Sequence, residues 1–135
     1  MYKGFFDGSS KGNPGPSQCG WAILKENGDI LDHKHRKSDV DRTNNYAEYM
    51  GLIELFKYID SKPGIQEIEI FGDSKLVIEQ VAGRWKCKSP TLKPLWTEAI
   101  RWYKSLNETR KVTLTWVPRE KNTIADSLAQ KGVML

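Results

Sequence analysis

Four acids stand in settings that suit metal-assisted chemistry on phosphodiesters. Asp7 closes the apolar run Lys3-Gly4-Phe5-Phe6, which reads as a strand. Glu48 lies in Thr43-Asn44-Asn45-Tyr46-Ala47-Glu48-Tyr49, where a strongly helical stretch begins. Asp73 ends a second strand-like run, Ile68-Glu69-Ile70-Phe71-Gly72, and is followed by Ser74. Asp126 lies in Asn122-Thr123-Ile124-Ala125-Asp126-Ser127-Leu128-Ala129, the opening of a last helix. Hard divalent cations take oxygen ligands, and a pair of them can clamp the attacking and leaving oxygens of a phosphodiester. Acids at strand ends, joined by acids from helices, are what such a site requires.

Three of these acids also have plainer readings. Asp7-Gly8 is a favoured type I′ turn dipeptide, although the breaker cluster over residues 8–16 argues against a tight hairpin there. Asp73-Ser74 suits a helix N-cap. Asp126 suits the first turn of a helix, where the macrodipole favours an acid. Glu48 is harder to explain away. Leu52, Leu55 and Ile59 follow it on the same helical face, so its carboxylate is drawn toward the core. No basic residue stands at 44, 45, 51 or 52 to pair with it, and a buried carboxylate needs a partner or a proton.

These acids must be positioned by elements that periodicity and breakers outline. Strands are expected over residues 2–7, 19–24, 30–37, 65–71 and 112–117, with a hairpin at Asn27-Gly28. Residues 8–16 read as a loop and residues 39–42 as a polar connection. Helices are expected over 44–59 (stopped by Pro63-Gly64), 75–81, 92–106 and 123–131. Three strands joined by turns, then strand–helix alternation, predict an α/β fold with a mixed sheet and helices on its faces. Ligands of open α/β sheets bind beyond the carboxyl ends of the strands, where Asp7 and Asp73 fall. If the first and fourth strands are parallel neighbours, the two carboxylates meet.

At 135 residues with no linker-like stretch or internal repeat, the chain reads as a single domain over 1–135. It is 39% hydrophobic and 28% charged, which is ordinary for a globular protein and argues against disorder. No apolar run approaches bilayer-spanning length, so no membrane partner is expected. The start lacks a secretory pattern, and Cys19 and Cys87 lack metal-ligand spacing, which together suggest a cytoplasmic protein with two free thiols. The net charge of +4 is a mild basic bias, but its distribution is uneven. Residues 84–104 carry six bases against one acid, whereas residues 43–81 carry seven acids against three bases. A basic segment beside an acidic pocket suits a polyanion, though a solvated helix face has the same composition.

Four motifs in this order carry a family resemblance. They are Asp7-Gly8-Ser9 with Gly12-Asn13-Pro14-Gly15, Thr43-Asn44-Asn45 with Glu48, Asp73-Ser74, and Trp116-Val117-Pro118 leading to Asn122 and Ala125-Asp126. Over nearly its whole length the chain resembles type 1 ribonuclease H, which cuts the RNA strand of RNA/DNA hybrids. The resemblance implies a ribonuclease H-like fold with a five-stranded mixed sheet flanked by helices. It implies Asp7, Glu48, Asp73 and Asp126 as catalytic metal ligands for two Mg2+ ions with substrate bound, Mn2+ substituting. It implies that Asn13, Asn44 and Asn45 contact the hybrid near the scissile site, and that Thr43 and Asn45 grip a phosphate of the DNA strand. The expected products are 5′-phosphate and 3′-hydroxyl ends, and the expected working form is a monomer.

Two departures from the better-known bacterial pattern bear on mechanism. The loop Pro118-Arg119-Glu120-Lys121-Asn122 carries no histidine, and Arg119 can replace one electrostatically but not as a base. His33 and His35 sit far away in a strand. The loop is similar to that of the archaeal-type subgroup, which leaves double-stranded RNA open as an added substrate. An extra basic helix and loop is also absent, so hybrid affinity is expected to draw on Lys86 and Lys88, with Arg84 and Trp85 nearby. Trp96 and Trp102 read as packing residues. A silent nucleic-acid-binding domain would not need all four acids, and an integrase-like nuclease gives no reason for the three asparagines.

Overall fold

The computed structural model describes residues 1–123. Strands β1 (Tyr2–Ser10), β2 (Gly15–Leu24) and β3 (Ile30–Arg42) form an antiparallel meander, followed by helix α1 (Asn44–Asp60). Then come β4 (Glu67–Gly72), helices α2 (Lys75–Val81) and α3 (Lys93–Thr109), β5 (Lys111–Trp116) and a 3-10 turn, Arg119–Lys121. The sheet order is β3-β2-β1-β4-β5, with β4 parallel to both β1 and β5. It is the mixed five-stranded sheet that the sequence predicts. The closing helix expected over 123–131, with Asp126 inside it, lies outside the described residues beyond Thr123.

Alternation along the strands decides which side of the sheet the helices cover. Ile68 and Ile70 of β4 turn to the helical side with Gly4 and Phe6 of β1, and Val112 of β5 is buried with them. There they meet Tyr49, Leu52, Leu55, Phe56 and Ile59 from α1. Each fully buried side chain of this size contributes roughly 1.5–3 kcal/mol. α3 packs beside α1, with Tyr103 against Phe56 at 6.2 Å between ring centroids. Trp96 and Trp102 are partly buried against this core, as expected. On the opposite side of the sheet Phe5 stacks on Phe71 at 5.3 Å.

Two connecting segments differ from the sequence expectation. Residues 8–16 are not all loop, because β1 continues to Ser10 and β2 opens at Gly15, pairing Gly8 with Cys19 and Ser10 with Ser17. Residues 39–42 belong to β3, where Asp41 and Arg42 pair with Pro16 and Gly15 past an irregularity between Pro16 and Ser17. Glycine, proline and acids weaken strand propensity, but backbone partners on the neighbouring strand override it. The Asn27-Gly28 hairpin stands as expected, with Gly28 at φ 92°. α3 runs three residues further than its apolar pattern, to Thr109.

Candidate active site

β1 and β4 lie side by side and run the same way, which brings Asp7 and Asp73 to one edge of the sheet. α1 packs back across β1 and sets Glu48 over the same point. Glycine makes this approach feasible: a Cβ on Gly8 would lie 2.2 Å from the Ala47 carbonyl carbon and 2.4 Å from Glu48 N. One turn on, a Cβ on Gly51 would meet the Asp7 carbonyl oxygen at 2.8 Å. Asp7-Gly8 is therefore a strand-to-helix contact and no turn.

Asp7, Glu48 and Asp73 each offer a carboxylate oxygen, and these oxygens all lie within 4.8 Å of one another. Asp7 is 1% exposed and Glu48 5%. The Gly8 N–H donates to Asp7 Oδ1 at 2.8 Å and to Glu48 Oε1 at 2.9 Å. Among the described residues no donor reaches Glu48 Oε2. Two ionised carboxylates near that separation repel by about 3 kcal/mol at an effective dielectric of 20. Burial holds the Glu48 carboxyl well above its ordinary range, with the Asp7 carboxyl contact and the Asp7 and Asp73 charges adding to it, and the Gly8 N–H opposing. A hard cation among these oxygens would replace the proton and relieve the repulsion, and an all-oxygen donor set fits magnesium or manganese.

The capping of α2, which the sequence left open between Asp73 and Ser74, falls to Ser74. Ser74 is the N-cap of α2, its Oγ accepting from Val77 N at 3.3 Å. The Trp116 indole N–H donates to the Asp73 carbonyl at 3.1 Å. Asn122, fully buried, donates from Nδ2 to the Phe6 carbonyl at 2.9 Å and reaches Asp73 Oδ2 at 3.4 Å. It ties the end of the loop to both strands that carry acids. Sequence reasoning gave Asn122 a place in a motif but no role; the available signal was an amide closing a charged loop four residues before Asp126. Asp126 itself lies outside the described residues.

A groove of about 640 Å³ beside α1 is lined by Asn13, Thr43, Asn44, Asn45, Lys86 and Lys88. Asn13, Thr43, Asn44 and Asn45, which the resemblance singled out for substrate, thus come together with Lys86 and Lys88 of the basic segment. Thr43 caps α1, its Oγ1 accepting from Tyr46 N at 3.2 Å. Asn13 sits in the β1–β2 turn at φ 34°, next to Gly12 at φ 92°, and its Oδ1 accepts from Asn44 N at 2.9 Å. Asn44 Oδ1 accepts in turn from Ser10 N at 2.8 Å and Ser10 Oγ at 3.2 Å. With both carbonyl oxygens committed, each Nδ2 is left as the uncommitted donor among the described residues.

Other candidates fall outside this groove. Arg84 forks onto Glu79 at 2.7 and 2.8 Å, while Trp85 remains 45% exposed. Arg119 is exposed and opens the 3-10 turn that Asn122 caps, so its loop is anchored to the acid cluster. His33 and His35 lie on β3, the sheet edge opposite β5 and that loop. His35 Nε2 is 3.1 Å from Gln18 Oε1.

Fold and site define a class: an α/β protein with a cluster of carboxylates, able to hold a hard cation, at the carboxyl end of a parallel strand pair. Comparison with known proteins narrows it. The profile of a family described as reverse transcriptase-like matches residues 5–132. The chain is 39% identical over 128 residues to a bifunctional protein of Mycobacterium tuberculosis, covering 94% of this chain and 34% of that one. It spans about a third of the length of that relative. The crystal structure of ribonuclease H1 from Halobacterium salinarum matches with a TM-score of 0.85 and 35% identity, over 96% of this chain and 95% of that one. LC11 ribonuclease H1, solved in complex with an RNA/DNA hybrid, matches at 0.82 and 30%, over 97% and 95%. The chain belongs to the ribonuclease H family.

Proposed function

We propose that this protein hydrolyses the RNA strand of RNA/DNA hybrids with the help of two divalent metal ions, Mg2+ by preference. The observation that carries this reading is the convergence of Asp7, Glu48 and Asp73 within 4.8 Å beside a groove of amides and lysines. The hybrid-bound relative supports the choice of substrate. Asp126 completes the metal-binding set in this reading.

Bound divalent ions would supply Lewis-acid stabilisation to the attacking water and the departing 3′ oxygen. Water adds to phosphorus and the bond to the 3′ oxygen breaks, leaving a 5′-phosphate and a 3′-hydroxyl. The chain's own residues hold the strand and set the charge. Asp7, Glu48 and Asp73 provide oxygens whose mutual repulsion makes the site want a cation. Asn13 and Asn44 turn Nδ2 donors outward, matched to acceptor oxygens such as ribose 2′-hydroxyls, the group that separates RNA from DNA. Thr43, Asn45, Lys86 and Lys88 hold phosphate on the DNA-strand side. Arg119, permanently charged, stabilises the scissile phosphate or helps the product leave. The 135 residues act as one catalytic domain and as a monomer.

Labelled RNA/DNA, RNA/RNA and DNA/DNA duplexes incubated with and without magnesium test this reading. Magnesium-dependent cutting of the RNA strand in the hybrid is the expected result, and the RNA/RNA lane reads whether double-stranded RNA is also cut. Equal cleavage of the DNA duplex, or none of the hybrid, would overturn the proposal.

A further inference from the structure

The carboxyl end of β5 carries a side chain that the proposed chemistry leaves unused. Trp116 is 43% exposed, a large apolar surface left open to solvent. It is nonetheless fixed on two sides. Its indole N–H donates to the Asp73 carbonyl at 3.1 Å, and the Lys75 ammonium sits 5.7 Å from the ring centroid, within cation–π range. Trp116 pairs with Gly72 across β5 and β4, so its backbone stands about one strand spacing, roughly 5 Å, from that of Gly72 on the side away from β1. Asp73 is also the least buried of the three clustered acids. An exposed ring held rigid offers an apolar face to a sugar, and a cation beside it neutralises a phosphate, a backbone contact that reads no base.

We propose that Trp116 and Lys75 form a contact for the RNA-strand backbone next to the scissile position, and that the indole N–H is a positioning group for Asp73. The ring packs against a sugar while the ammonium neutralises the adjoining phosphate. The hydrogen bond to the Asp73 carbonyl couples strand binding to the placement of that carboxylate. This inference rests on the hybrid-cleaving reading above.

Three variants separate its parts. Lys75→Gln keeps a polar side chain, one atom shorter, and loses the charge; it should raise KM for hybrid severalfold, leave kcat near the parent's, and lower the salt slope of hybrid binding by about 1. Trp116→Phe keeps a ring and loses the N–H, so kcat should fall while KM stays near the parent's. Trp116→Leu loses both, and KM should rise by about tenfold or more. Thermal melting checks that Trp116→Leu folds; Lys75→Gln changes an exposed side chain and carries the test without it. Binding is read by anisotropy of labelled hybrid with metal withheld, and turnover in magnesium. If the parent cleaves hybrid but Lys75→Gln and Trp116→Leu keep its KM and salt slope, the contact does not exist and the functional reading stands. A parent that neither binds nor cleaves hybrid would remove the functional reading first, and this inference with it.

Discussion

In the acid cluster one backbone N–H, that of Gly8, serves two carboxylates, and Glu48 Oε2 meets no donor among the described residues. One helical turn before Glu48, the Asn13–Asn44–Ser10 chain satisfies both of its side-chain amide oxygens. The first region is buried, like-charged and strained without a cation; the second is open and already hydrogen-bonded before any substrate arrives. The contrast separates the tasks. In the proposed reading the site that draws in cations is left electrostatically unsatisfied, whereas the surface that holds a strand in register keeps its donors fixed in advance.

The sharpest way to break this contrast is to remove charge from the cluster. Asp7→Asn should lower magnesium-dependent cleavage by about three orders of magnitude or more. It should also melt no lower than the parent without metal, because a repulsion has been removed, and gain less from magnesium than the parent does. Retained turnover would take Asp7 out of the metal site. Next in size is Arg119→Ala, expected to slow turnover by about one to two orders of magnitude, with Arg119→Lys recovering only part. Parent-like rates in single-turnover and steady-state kinetics would make the loop purely structural.

A pH titration tests the strain directly. Glu48 is held above its ordinary value of 4.5 in the fold, so its own contribution to the stability of the metal-free protein is greatest below that pH. Stability should fall as pH climbs through the raised folded value, and magnesium should bind more tightly over the same range. Glu48→Gln should flatten both profiles in melting and calorimetry; unchanged slopes would show that Glu48 does not titrate abnormally. In the groove, effects should be smaller. Asn44→Ala should cost roughly 3- to 10-fold in kcat/KM on hybrid, as for a lost hydrogen bond. Parent-like kcat/KM would remove Asn44 from substrate contact. Lys86→Ala and Lys88→Ala should do least, weakening hybrid binding a few-fold at low salt and lowering the salt slope by about 1 each. A slope equal to the parent's would place both lysines away from phosphate.

Element type and order were legible because they follow local rules. Apolar periodicity marked α1, Asp73-Ser74 stood where a helix cap belongs, and Asn27-Gly28 marked a hairpin. Residues 8–16 misled because their composition argues for loop, while their conformation is set by backbone pairing with β2 and by the close passage of α1 over Gly8. Propensity is a local property, and a neighbouring strand overrules it.

The site divides along the same line. By itself the sequence determined which residues have the chemistry, since carboxylates, amides and lysines can be read off, and the helical register of Glu48 already pointed it inward. Tertiary structure decided which of them meet. The parallel pairing of β1 and β4 joins Asp7 to Asp73 across a sequence separation that no local pattern spans. The same holds for Asn122 and Trp116, whose contacts with Asp73 arise only when β5 docks beside β4. The commitment of the Asn13 and Asn44 oxygens, which leaves them as donors, is equally a product of the fold. A hydrogen bond needs its partner within about 3 Å at a defined angle, and only the assembled backbone sets that distance.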